Sequence, residues 1–342
     1  MNKEILNRFR RALVRHRDSL RNWLSSDSSA KERCLCGEGQ KCEATLHAHD
    51  AAIACIDRGD FGICTVCGED MAPERLEMDF TASVCLEHYS QEKLRALERD
   101  LELAAKVQQQ LLPAAYPALP EVDIAAVARP AQIVGGDYYD FFCTPAGLQG
   151  FAIADVMGKG LPASMLMSSL QASLRIIGPE YQELPDVAAR LNELFRYNLK
   201  LIRFITLFLC VVDPQKQQIV YTNAGHHPPL LRKRSGEVEW LNPTGPAIGL
   251  IHAPEYKASS ARFGPGDMLL LYTDGLLEAR NELEEEFGEE RLAGFAHDHA
   301  NGDAKTFLAR LHREVERFTG GKIHDDLTLL VLKAVENSDT TP

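Results

Sequence analysis

Four aspartates set far apart in the chain, each at an end of an apolar run and beside small residues, constrain the fold more than any other feature. They lie in Val134-Gly135-Gly136-Asp137-Tyr138-Tyr139-Asp140, Ala154-Asp155-Val156-Met157-Gly158-Lys159-Gly160, Tyr272-Thr273-Asp274-Gly275 and Asp325-Asp326-Leu327-Thr328. Asp155 and Asp274 close apolar strands, whereas Asp325 opens one. In an antiparallel sheet the end of one strand lies beside the start of its neighbour, so these carboxylates can share a rim. Converging carboxylates without matching Lys or Arg cost folding energy unless a hard cation neutralises them. The set predicts a magnesium or manganese site, and two adjacent ions of that kind are the usual apparatus for hydrolysing phosphate esters. Gly158 and Gly160 loosen the loop after Asp155, where the Val156 carbonyl can complete a metal's oxygen shell.

Around the aspartates, short strands alternate with helices. Apolar runs at Val122–Ala128, Phe151–Val156, Ile205–Val212, Gln218–Asn223, Asp267–Thr273 and Leu327–Leu332 read as strands. Several are apolar at successive positions, as in Met268-Leu269-Leu270-Leu271, which predicts burial on both faces. Helical stretches fall near 162–177, 184–200, 288–299 and 304–318. The expected class is α+β, with antiparallel sheets covered by helices in a layered sandwich. With 342 residues, 45% of them hydrophobic, the chain is long enough for two or three domains.

The net charge of −12 is unevenly spread: residues 1–24 carry seven Lys or Arg against two acids, and residues 114–342 carry 21 basic against 30 acidic residues. A C-terminal region with that balance is a poor partner for nucleic acid. Ile5, Phe9, Leu13, Leu20 and Leu24 form one helical stripe with arginines opposite, which reads as a solvated face. A second helix over 42–58, ending at Gly59, is expected to pair antiparallel with the first. From Ser90 to Leu112 there is no Gly or Pro, and Leu94, Leu97, Leu101, Ala104, Gln108 and Leu111 hold an a/d register. That narrow seam predicts a coiled-coil linker joining two copies as a homodimer, with Gln108 available to fix register. An intramolecular helix packed on its own domain is the alternative. Pro113, Pro117 and Pro120 end the helix. The longest apolar stretch, Phe204 to Val212, is too short to span a bilayer and no secretory signal is visible, so a cytoplasmic protein without membrane contact is expected.

Seven of the nine cysteines fall within residues 34–85, a density that in a cytosolic chain points to metal rather than disulfides. Cys64-x2-Cys67 and Cys85-x2-His88 supply two tight chelating pairs, which suits tetrahedral Zn²⁺. Protein fills every position, so the site is expected to be structural. Cys34, Cys36, Cys42, His47 and His49 are irregularly spaced: a second metal site, a thiol sensor and unliganded tip residues are all open. The run from Ile56 to Glu69, with Gly59, Gly62 and Gly68, resembles the DksA/TraR-type zinc finger over residues 42–90, with His88 where many members have cysteine. Members of that family can insert a helical hairpin with an acidic tip into RNA polymerase; here the turn offers only Asp27 among serines.

The aspartate segments, in order with Gln108-x2-Leu111-Leu112-Pro113 and Asn223-Ala224-Gly225-His226-His227-Pro228-Pro229, resemble the PPM family of metal-dependent serine/threonine phosphatases, in its SpoIIE/RsbU-like branch. The resemblance runs from about Glu98 to Leu332. It implies a PPM-type αββα sandwich, preceded by the helical hairpin with zinc finger and the coiled-coil linker. The implied organisation is a regulatory 1–89, a linker 90–113, a phosphatase domain 114–336 and a disordered tail 337–342. It further implies two Mn²⁺ or Mg²⁺ ions: Asp137 and Asp155 bind or bridge the pair, Val156 lends its carbonyl, and Asp274 and Asp325 complete the second side, with Asp326 an open alternative. A phosphoprotein substrate follows, by resemblance a STAS-domain anti-sigma factor antagonist in a partner-switching pathway. Water attacks phosphorus directly, in keeping with the lack of a Cys-x5-Arg loop at Cys143 or Cys210. Arg129 is the candidate for a phosphate-binding arginine. The rival reading is a transcription adaptor that binds RNA polymerase through the zinc finger and carries a non-catalytic phosphatase-like domain.

Overall fold

The computed structural model describes residues 3–26, 39–85, 87, 91–196, 204–322 and 325–335. The chain divides into two compact units, Met1–Arg99 and Asp100–Pro342.

In the first unit, α1 (Lys3–Ser26) and α2 (Gly39–Arg58) lie side by side with opposed directions, since Arg10 pairs with Asp57 while Arg17 and Arg21 pair with Asp50. Phe9 and Leu13 of the apolar stripe pack on Ala52 and Ile53. Several arginines of the opposite face are thus held by α2 carboxylates. Beyond Arg58 the chain turns at Gly59 and Gly62, and α3 (Pro73–Met78) buries Leu76 beside Phe61, Cys64 and Met71. The residues expected at the hairpin tip, Asp27, Cys34 and Cys36, lie outside the described residues. α4 (Gln91–Leu111) spans the division between the units as one unbroken helix.

The second unit is a four-layer sandwich. Its strands are β1 (Val122–Arg129), β2 (Tyr138–Cys143), β3 (Gln149–Val156), β4 (Ile205–Asp213), β5 (Gln218–Ala224), β6 (Leu230–Arg232), β7 (Val238–Trp240), β8 (Ser259–Arg262), β9 (Met268–Tyr272) and β10 (Leu327–Ala334). They form two five-stranded sheets, ordered β1-β10-β9-β6-β7 and β2-β3-β4-β5-β8, with every pairing antiparallel. α5 (Gly160–Ile177) and α6 (Leu184–Phe195) cover the β2-containing sheet; α7 (Asp274–Leu277), α8 (Gly288–His299) and α9 (Ala304–Phe318) accompany the other.

The strands' unbroken apolar runs follow from that layering. On β3, Phe151 and Ile153 face the inter-sheet core while Ala152, Ala154 and Val156 face the helices. On β10, Leu330 and Leu332 point between the sheets while Leu327, Leu329 and Val331 point toward α8 and α9. Side chains alternate across each strand, so a strand buried on both sides must be apolar at every position. Each fully buried Leu, Ile or Phe contributes about 1.5–3 kcal/mol. Cys210 sits wholly inside the inter-sheet core, where burial drives its thiol well above the usual range. β2 was not foreseen, because Tyr138 to Cys143 reads as part of the aspartate turn.

Candidate metal centre

Asp137 ends the loop before β2, and Asp155 is the penultimate residue of β3; both belong to one sheet. Asp274 opens α7 directly after β9, and Asp325 leads into β10, on the other sheet. β9 and β10 pair with Tyr272 opposite Leu329, which sets Asp274 beside the start of β10 as the antiparallel argument requires. The single rim expected from sequence is, however, two rims facing each other across the sandwich. Hydrogen bonds tie them together. Thr273 Oγ1 donates to Asp137 Oδ2 at 2.7 Å and accepts from the Thr328 amide at 3.0 Å. Burial holds His226 near a pKa of about 3, so its ring is neutral. Its Nε2–H then donates to the Tyr272 carbonyl at 3.0 Å, and Nδ1 accepts from Thr206 Oγ1 at 2.8 Å.

The electrostatics call for a cation. Asp137 is buried; its second carboxylate oxygen has no hydrogen-bond partner, and burial plus the charge of Asp155 raise its pKa well above the usual range. Asp155 is pushed up to about 7, first by burial and then by the charges of Asp274 and Asp325. Burial and Asp325 raise Asp274 as well. An orphaned buried carboxylate oxygen among mutually repelling carboxylates is the donor set that a hard divalent ion relieves, so these residues fit the expected metals. The backbone is drawn in tightly around them. A Cβ on Gly136 would come within 2.7 Å of the Val156 carbonyl oxygen, and one on Gly275 within 2.0 Å of the Asp326 carbonyl oxygen.

The adjacent aspartates divide their work. Asp326 accepts from the Ala131 and Gly136 amides, each at 2.7 Å, one on each carboxylate oxygen. It therefore shapes the loop that carries Asp137. Asp325 remains one-third exposed and its Oδ2 lies 2.8 Å from Lys159 Nζ. Gln108 also acts here: its amide donates to the Gly135 carbonyl at 2.6 Å and accepts from the Gly135 N–H at 3.1 Å. The position expected to set coiled-coil register is instead spent on the metal-site loop of its own domain. Arg129 is likewise committed elsewhere, to Glu316 at 2.7 Å and His312 at 2.8 Å. His227, from the Asn223 to Pro229 motif, brings a ring nitrogen within 4.8 Å of carboxylate oxygens of Asp274 and Glu278. Thr273 and Lys159 were legible only as neighbours of the motifs, and Asp326 only as an alternative ligand to Asp325.

In the first unit, the sulfurs of Cys64, Cys67 and Cys85 lie within 4.8 Å of one another. The Cys85 amide donates to Cys64 Sγ at 3.3 Å, and this and the Cys67 and Val66 amides bring the Cys64 pKa down to about 6. Three sulfurs with a favoured thiolate fit a tetrahedral soft-metal site lacking one ligand. His88 lies outside the described residues. His49 is buried with its ring 4.6 Å from that of Phe80, so it packs rather than chelates, and no cluster forms around His47 and His49 among the described residues.

Residues 145–335 match the family described as Stage II sporulation protein E (SpoIIE). The chain is 30% identical to the phosphoserine phosphatase RsbU of Bacillus subtilis over 241 residues, covering 69% of this chain and 70% of RsbU. It is 30% identical to the phosphoserine phosphatase RsbP of the same organism over 53% of this chain, which spans under half of that relative, 46%. Among solved structures, the SiaA-PP2C domain of Pseudomonas aeruginosa superposes with a TM-score of 0.62 at 21% identity, over 70% of this chain and 98% of that one. The PP2C phosphatase domain of SpoIIE from Bacillus subtilis superposes with a TM-score of 0.55 at 22% identity, over 64% of each. These structural likenesses bear on the fold.

Proposed function

Because this chain belongs to the SpoIIE family and is a PP2C-type serine/threonine phosphatase, we propose that it hydrolyses phosphoserine or phosphothreonine on a STAS-domain anti-sigma factor antagonist in a partner-switching pathway. The observation that carries the chemistry is that Asp137, Asp155, Asp274 and Asp325 are drawn from two sheets and their charges raise the pKa values of the first three, while one buried oxygen of Asp137 has no hydrogen-bond partner. Asp137, Asp155 and the Val156 carbonyl would hold one side of a Mn²⁺ or Mg²⁺ pair, and Asp274 and Asp325 the other. Bound there, the ions supply a water of lowered pKa and charge opposite the phosphoryl oxygens. Thr273 fixes the Asp137 carboxylate, and Asp326 fixes the loop that delivers it. No side-chain nucleophile is required, and buried Cys210 is unsuited to be one.

The regulatory apparatus is part of the same reading. Cys64, Cys67, Cys85 and His88 would hold one structural Zn²⁺ in a DksA/TraR-like finger. α4 would join two copies through its a/d seam, in which Leu97 is exposed. Action in the cytoplasm is consistent with the finding that no helix among the described residues is long and apolar enough to cross a membrane.

The deciding experiment incubates the purified chain with Mn²⁺ and a phosphoserine-bearing STAS-domain protein and follows phosphate release. Asp155→Asn is expected to lower turnover by at least about a hundredfold, the scale on which electrostatic transition-state groups act. Equal turnover by both proteins would remove the metal centre from the mechanism.

A further inference from the structure

We propose that Lys159 holds the phosphoryl group of the substrate, exchanging its contact with Asp325 for one with phosphate once that carboxylate engages metal. The inference rests on the two-metal reading above and names the recognition element that reading lacks.

The site needs a cation for its substrate. A phosphate monoester arrives as a dianion, and the described aspartates are negative. Four carboxylates and two divalent ions cancel in formal charge, so a group beyond the metals must favour the incoming anion. Arg129 is occupied by Glu316 and His312, and Arg280 by Glu284 and Glu286. Lys159 instead brings its ammonium onto the aspartate set itself, 2.8 Å from Asp325 Oδ2, and also feels the charges of Asp326 and Asp274.

Its setting suits an exchange. The side chain is about half exposed, and a lysine ammonium on a four-carbon stem is a mobile point charge suited to phosphate. Gly158 and Gly160 on either side both have positive φ, at 116° and 68°, so the backbone that carries Lys159 takes conformations closed to most residues. The ammonium opens onto a cleft of about 440 Å³ that also exposes Asp325, Gly275, Glu278 and Lys322. That cleft reaches the aspartate set at Asp325 and at Gly275, the residue after Asp274, and its volume admits a phosphorylated side chain. When Asp325 binds a divalent ion, its charge is shared with the metal and its hold on Lys159 weakens. A phosphoryl oxygen placed beside the metals then becomes the stronger partner for the same ammonium.

The test uses the full chain, with Lys159→Met and Lys159→Arg beside wild type. Inorganic phosphate binding to the Mn²⁺-loaded proteins is measured by calorimetry, Mn²⁺ affinity by the electron paramagnetic resonance of free ion, and KM and kcat with a phosphoserine peptide. Lys159→Met is expected to weaken phosphate binding and raise KM together by about tenfold or more, as loss of a charge-assisted contact does. Lys159→Arg should restore most of both. Mn²⁺ should bind Lys159→Met as tightly as wild type or more tightly, because a competing cation has gone. Unchanged phosphate binding in Lys159→Met overturns the proposal, as does weakened Mn²⁺ binding with phosphate affinity intact, which would mark Lys159 as a support for Asp325. A wild-type protein that binds phosphate in a Lys159-dependent way yet leaves the phosphopeptide intact would sink the phosphatase reading and spare this one.

Discussion

At the residue scale, Asp325 and Asp326 have opposite exposures to a common change. Asp326→Ala leaves the Ala131 and Gly136 amides without their acceptor. The expected cost is about 2–6 kcal/mol of stability, since each of the two orphaned donors costs about 1–3 kcal/mol. Asp325→Asn removes only the charge of a side chain that is one-third exposed, so denaturation should shift little while Mn²⁺ binding falls. Urea denaturation beside metal titration separates the two, and matching stability losses would refute the division. Proton linkage gives a second prediction. Asp155 has its ordinary value of 3.8 when unfolded and about 7 when folded without metal, so the folded chain binds the extra proton. Stability of the metal-free protein should fall as pH rises from about 4 to about 7, and Mn²⁺ should raise the melting temperature most above that window. A metal-free melting temperature that climbs through the same range would contradict the buried-carboxylate picture.

At the element scale, α4 is fastened at its C-terminal end. The Leu111 carbonyl accepts from Arg175 at 3.1 Å and from Gln171 at 3.3 Å, both on α5. Arg175 also pairs at 2.8 Å with buried Asp140 of β2, to which the Tyr138 hydroxyl donates as well. A helix's last carbonyls lack intrahelical partners, so these donors complete the end of α4. Arg175→Ala should cost about 2 kcal/mol in chemical denaturation, because it strands a buried carboxylate as well as uncapping the helix. A loss below a few tenths of that would show that the Tyr138 hydroxyl and the Phe141 amide satisfy Asp140 without Arg175. Most elements were legible from periodicity: the predicted strand Ile205–Val212 is β4 (Ile205–Asp213), and the helix near 304–318 is α9 (Ala304–Phe318). β2 escaped because its aromatic run surrounds an aspartate whose partners, Arg175 and Tyr138, are visible only in three dimensions. The three-residue strands β6 and β7 are too short to show alternation.

For the whole molecule, two compact units with separate cores predict two unfolding events. Scanning calorimetry should resolve them, with a strong zinc chelator collapsing the transition of the first unit and leaving the Mn²⁺-responsive one in place. Acid should act similarly: once pH drops through about 6, the Cys64 thiolate takes a proton and competes with metal. One chelator-insensitive transition would argue against a structural metal among Cys64, Cys67 and Cys85.

The sequence by itself determined the ingredients that depend on residue type and local spacing. These are the carboxylate set at strand ends, the doubly buried strands, the paired cysteine chelates and the family to which those motifs point. Tertiary structure decided that Asp326 gives both carboxylate oxygens to backbone amides, that the rims belong to different sheets, and that Gln108 bonds to Gly135. The reason is physical: side-chain chemistry and periodicity are written within a few residues. Which oxygen meets which amide across some two hundred positions is set by strand register and by the packing of one sheet on another.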